Sequence, residues 1–107
     1  MLRLASTIGL PEENRLEYER LHANAWPGVL AALAASNIRN YSIFRHGELL
    51  FSYMEYVGDD YEADLRLLSE DPVTRAWLRL CGPLQLPLED RRDDEWWKSL
   101  PEIFHMD

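Results

Sequence analysis

A chain of 107 residues, 47% of them hydrophobic, implies one domain (1–107) able to bury a real core. The formal charge of -8 leaves no basic stripe for phosphate, which argues against nucleic acid and anionic membrane surfaces as partners. The single Cys81, in the apolar run WLRLCG, excludes an internal disulfide and a cysteine-cluster zinc site, and predicts a buried, inert thiol.

Leu2, Leu4, Ser6, Ile8 and Leu10 alternate with Arg3, Ala5, Thr7 and Gly9, the period of a strand. No leader pattern precedes it and no apolar run reaches transmembrane length, so a soluble cytoplasmic protein is expected. Pro11-Glu12-Glu13 opens a helix running to about His22, with proline early and acids in the first turn. Pro27 lacks an N–H and clashes with the preceding turn, so a break is expected near Asn24 to Trp26. A second helix follows through Val29, Leu30 and Leu33 to Ser36. Ile38 to Arg45 and Glu48 to Val57 read as strands of a hairpin, turning at His46-Gly47, where glycine supplies a positive φ.

Asp59 or Asp60 caps a helix running to about Ser69, with Tyr61, Leu65 and Leu68 inward. Asp71-Pro72 starts another, which ends at Gly82-Pro83. Pro83 to Glu95 has no regular period and ends in a charged run, read as a solvated loop. Within it, Asp90, Asp93 and Asp94 lack the glycine and spacing of a calcium loop. Ile103 to Met106 reads as a short final strand. The order β-α-β-β-α-β is the α+β, ferredoxin-like split βαβ plan: an antiparallel sheet with helices on one face. Tyr41, Ile43, Phe51 and Tyr53 fall on its strands, so the uncovered face is not fully polar. Two such sheets packed face to face would form a homodimer around a cavity.

Tyr18, His22 and Trp26 are spaced four apart, which on one helix places them on one face. Pro27 divides the run, so Tyr18 and His22 are the firm pair and Trp26 reads as packing at the break. His22 is the acid/base candidate, because imidazole titrates nearest neutrality, at about 6.5. Tyr18 and Tyr41 can donate and accept hydrogen bonds. His46, in a turn, reads as exposed, and His105 is a weaker pocket candidate. Trp26, Trp77, Trp96 and Trp97 are a heavy tryptophan load. Indoles stack on the C–H faces of sugars, and they equally serve as core or interface packing. No phosphate loop, nucleophile elbow or zinc signature is present.

These residues carry a resemblance. Arg3, EYxxxHxxxWP from Glu17 to Pro27, Asn40-Tyr41, LLFSYMEY, Asp71, Trp77 and Glu102-Ile103-Phe104 match in register along nearly the whole chain. The chain thereby resembles the L-rhamnose mutarotases, dimeric α/β-barrel enzymes that include L-fucose-active relatives. The resemblance implies an isomerase that interconverts α and β anomers of a deoxy-hexose. His22 would be the proton donor, and Tyr18, Tyr41 and Trp77 the substrate contacts. Where the rhamnose enzymes often carry a tryptophan pair, this chain has Ala76-Trp77, and Trp96 or Trp97 stands as a substitute. Ring opening by paired proton transfer needs no metal or redox cofactor. The competing readings are a non-catalytic monosaccharide-binding module and a cofactor-free monooxygenase on the same barrel plan.

Overall fold

The structure, a computed structural model, describes residues 1–107. Strand β1 (Leu2–Gly9) leads into a 3-10 turn (Glu12–Asn14) and helix α1 (Arg15–Ala23). Helix α2 (Pro27–Ala35) and the hairpin β2 (Ile38–His46) and β3 (Leu49–Tyr56) follow. Helices α3 (Tyr61–Glu70) and α4 (Pro72–Cys81), a 3-10 turn (Gly82–Leu84) and strand β4 (Lys98–Leu100) complete the chain. No helix is long and apolar enough to cross a membrane.

The sheet is antiparallel in the order β2-β3-β1-β4. This is the split βαβ arrangement, with the helices on one face. Ile8, Leu10 and Leu50 from the sheet side pack against Tyr18, Val29, Trp77 and Cys81 from the helices, forming one core. Ile8 and Leu10 are almost fully buried, so each contributes roughly 1.5–3 kcal/mol of transfer free energy. Ser6 and Ser52 also face the helices, and their hydroxyls bond to each other at 2.6 Å, which satisfies both polar groups there.

Local chemistry sets the helix boundaries. Pro27 is the first residue of α2, and Trp26 before it is extended at φ -64°, ψ 133°, as a residue preceding proline prefers. Asp60 accepts from the Ala63 N–H at 3.1 Å, and Asp71 accepts from the Thr74 N–H and hydroxyl at 2.8 Å each. Each cap satisfies an N–H that the helix leaves open. Gly28 lets α2 approach α4, since a Cβ there would lie 2.9 Å from Val73 Cγ1. The hairpin turn needs Gly47, at φ 57°.

Four expectations are corrected. The last strand is Lys98–Leu100, paired with β1 through Ala5↔Leu100 and Thr7↔Lys98, and not Ile103 to Met106. Pro101 ends the ladder by withholding an N–H, and the tail beyond it leaves Ile103, Phe104 and Met106 93%, 79% and 78% exposed. The proline at 11 opens a 3-10 turn rather than α1, and Asn14, bonded to the Leu84 carbonyl at 3.0 Å, holds that turn against the later one. Of the three α3 residues expected inward, Leu65 is exposed, while Tyr61 and Leu68 are half-buried and the Tyr61 ring meets the edge of Tyr56 at 5.1 Å. His46 closes β2 instead of sitting in the turn.

Strand β2 carries the irregularity that matters for the site. Its register against β3 shifts between Arg39 and Ser42. One residue is inserted, so Asn40 and Tyr41 together oppose Met54, and Asn40 takes φ 50°. A one-residue insertion reverses the side-chain alternation beyond it. Tyr41 and Ile43 therefore face the helices, while Ser42 and Phe44 pair with Tyr53 and Phe51 on the open face.

Candidate active site

Tyr18 and His22 lie one turn apart on α1, and their rings stack at 4.1 Å with planes inclined by 24°. His22 Nδ1 lies 2.8 Å from the Tyr18 backbone oxygen. A carbonyl only accepts, so Nδ1 carries the hydrogen and Nε2 is the nitrogen left for proton exchange. The His22 ring meets the edge of Trp77 at 5.2 Å, and Trp77 meets Trp26 at 5.2 Å. Trp77, only 7% exposed, is thus both a core residue and a wall of the site.

Two hollows meet at His22 and Ile43. One, of about 310 Å³, is largely apolar, walled by Ala25, Val29, Leu30 and Leu33 of the α1–α2 segment with Tyr41 and Trp77. The other, of about 280 Å³, holds Tyr18, Glu19 and Arg45. Glu19 pairs with Arg15 at 3.0 Å and with Arg45 at 4.0 Å. An imidazole at the junction of an apolar and a polar lobe suits a small ligand with one face of each kind.

Burial raises the Tyr18 phenol above its ordinary value, and a hydrogen bond from Gln85 works against that rise. Tyr41 is 42% exposed as a residue, but its hydroxyl end sits in dense surroundings, and burial there holds its phenol high too. Both tyrosines are therefore protonated hydrogen-bonding groups at neutral pH. Burial pushes the Cys81 thiol up to about 11, which makes it the inert packing residue expected.

The structure brings Tyr18, His22, Tyr41 and Trp77 together around these hollows. It sets His105 apart: that side chain lines a hollow of about 200 Å³ with Arg3 and Tyr53 on the open sheet face, and bonds Asp107 at 2.7 Å. Trp97 packs on the core and Trp96 bonds Gln85, so neither forms the wall at Trp77. No local pattern in the sequence marks Gln85, Glu19 or Arg45 as part of the site. Arg45 faces Glu19 only because of the β2 insertion, and Gln85 belongs to a loop without period.

The fold and the site define a small α+β domain of the ferredoxin-like plan, with an imidazole stacked on one phenol and sharing a hollow with another. The model of the L-rhamnose mutarotase family matches residues 3–106, and the chain belongs to that family. An L-fucose mutarotase of Xanthomonas campestris is 33% identical over 97% of this chain and 87% of its own length. An L-rhamnose mutarotase of Lactiplantibacillus plantarum is 33% identical over the full length of both chains. Among solved structures, an L-rhamnose mutarotase of Formosa agariphila superposes over the full length of both chains with a TM-score of 0.75 at 22% identity. The tetracenomycin F2 cyclase of Streptomyces glaucescens reaches the same TM-score at 13% identity, covering 100% of this chain and 98% of its own. Those two likenesses concern the fold, which evidently carries more than one chemistry.

Proposed function

We propose that this protein interconverts the α and β anomers of a deoxy-hexose, L-rhamnose or L-fucose, with His22 as the proton donor. The observation that carries the reading is the Nδ1–H bond to the Tyr18 carbonyl, which leaves Nε2 of His22 for proton exchange. In its charged form the ring gives the Nε2 proton to the sugar ring oxygen as the C1–O5 bond breaks. A base or water on the opposite side takes the anomeric hydroxyl proton, and C1 becomes the aldehyde carbon. Rotation about C1–C2 turns the other carbonyl face to O5. Reclosure forms C1–O5, returns the proton from O5 to Nε2 and reprotonates the anomeric oxygen. Nothing is oxidised or reduced, and a positioned acid or base contributes about 10²–10⁴-fold.

Tyr18 and Tyr41 orient sugar hydroxyls, and Trp77 with the apolar wall takes the C–H face and the deoxy carbon. The relatives' names favour this reading over a silent binding module or a monooxygenase. The protein acts as a homodimer. Phe51 and Tyr53 on the open sheet face, with Phe44 at 64% exposure and the tail's Phe104, form an apolar surface that a second copy covers. Saturation-transfer NMR across deoxy-hexoses tests the activity: acceleration of L-rhamnose or L-fucose is expected, and exchange of both at the rate in buffer contradicts the reading.

A further inference from the structure

The indole N–H of Trp96 donates to Gln85 Oε1 at 2.8 Å, and Gln85 Nε2 donates to the Tyr18 hydroxyl at 3.1 Å. An indole N–H can only donate, so the end of the amide it meets is the oxygen. The other end is then the NH₂ group, which can only donate in turn. Tyr18 Oη therefore accepts from Gln85 and keeps its own proton for a different partner. Tyr18 also lines the polar hollow, where its ring stacks on that of His22.

We propose that Gln85 and Trp96 are positioning residues that lock Tyr18 as a hydrogen-bond donor toward the sugar bound beside His22. The inference rests on the anomer-exchange reading above and names the parts that set the polarity of its site. The result is a donor of fixed sense next to an imidazole whose Nε2 exchanges protons. A sugar hydroxyl oxygen with a free lone pair is the group this donor recognises. The relay also explains why the irregular stretch after α4 matters to a site built on α1. Its outer end, Trp96, is 48% exposed and lies under the Arg91 guanidinium, 5.8 Å from the ring centre. That end is replaceable without disturbing the core.

The test compares Gln85→Glu, Gln85→Leu and Trp96→Phe by anomer-exchange kinetics on the sugar that the parent accelerates. A carboxylate only accepts, so Gln85→Glu draws the Tyr18 proton away from the sugar. Gln85→Leu merely removes the clamp. The expected result is a kcat loss of at least about tenfold for Gln85→Glu, larger than for Gln85→Leu, with KM changed less than about threefold. Trp96→Phe, which frees the amide to rotate, is expected to lower kcat by about two- to fivefold with the fold intact. A purely structural role predicts the opposite order, since the glutamate is the closer isostere. A parent that exchanges anomers while Gln85→Glu and Trp96→Phe keep its kcat overturns this inference alone. A parent without exchange activity removes the functional reading and this inference with it.

Discussion

Asn40 donates from Nδ2 to Glu55 Oε1 at 2.6 Å across the β2–β3 pair, from a backbone at φ 50°. The bond braces the inserted residue whose presence turns Tyr41 toward the helices. Left-handed backbone costs an ordinary L-residue roughly 1–2 kcal/mol, and asparagine is among the few that tolerate it. Asn40→Val is therefore expected to lose about 1–2 kcal/mol in urea unfolding and to lower anomer exchange as Tyr41 leaves the site. Asn40→Gly keeps the backbone and loses only the side-chain bond, so it is expected to stay nearer the parent in both measurements.

Trp77 joins the core to the site, so its truncation reads on both. Trp77→Ala is expected to cost about 3–5 kcal/mol, the range for removing a buried large aromatic side chain. Trp77→Phe keeps an aromatic face with less volume. It is expected to fold, and to show weaker sugar binding in NMR titration than the parent.

Glu95 supplies a pH signature in the segment before β4. Its carboxylate accepts from the backbone N–H groups of Arg92 and Ser99, at 2.9 and 3.1 Å, and its pKa falls from 4.5 to about 2. Between those values the unfolded chain binds the proton and the folded chain does not, so stability rises with pH there. The stabilisation is fully present above about pH 4.5 and is lost as the pH falls through about 2. Thermal melts of Glu95→Gln against the parent are expected to converge as the pH drops across that window. A constant difference contradicts the assignment.

The open sheet face gives a prediction about assembly. Phe104 is 79% exposed in the tail that lines the hollow with Arg3 and Tyr53. A charge there leaves the monomer core intact but opposes burial against a second copy. Sedimentation of the parent is expected to give a dimer, and Phe104→Asp is expected to shift it toward monomer. A monomeric parent contradicts the dimer.

The features of the fold and site legible in the sequence are those governed by local rules. The i, i+4 spacing of Tyr18 and His22 put them on one helix face, and the stacked rings follow from it. Pro27 and the two aspartate caps located helix boundaries because their effects reach only a turn. What stayed hidden depends on register and on long-range pairing. The facing of Tyr41 hangs on one inserted residue that alternation cannot reveal. Gln85 and Trp96 meet through a segment with no period to read, and Tyr18 lies 67 residues from Gln85 in sequence. The run Ile103-Phe104 looks like a strand because its residue types favour one, but the ladder had already ended at Pro101.

In the proposed reaction, His22 transfers the proton that opens the sugar ring. Saturation-transfer NMR on L-rhamnose and L-fucose, run on the parent and on His22→Ala at equal concentration, tests it most directly. The parent is expected to accelerate exchange of at least one sugar, and His22→Ala to lower the enzymatic rate by about 10²–10⁴-fold. A folded His22→Ala protein that exchanges anomers as fast as the parent contradicts it.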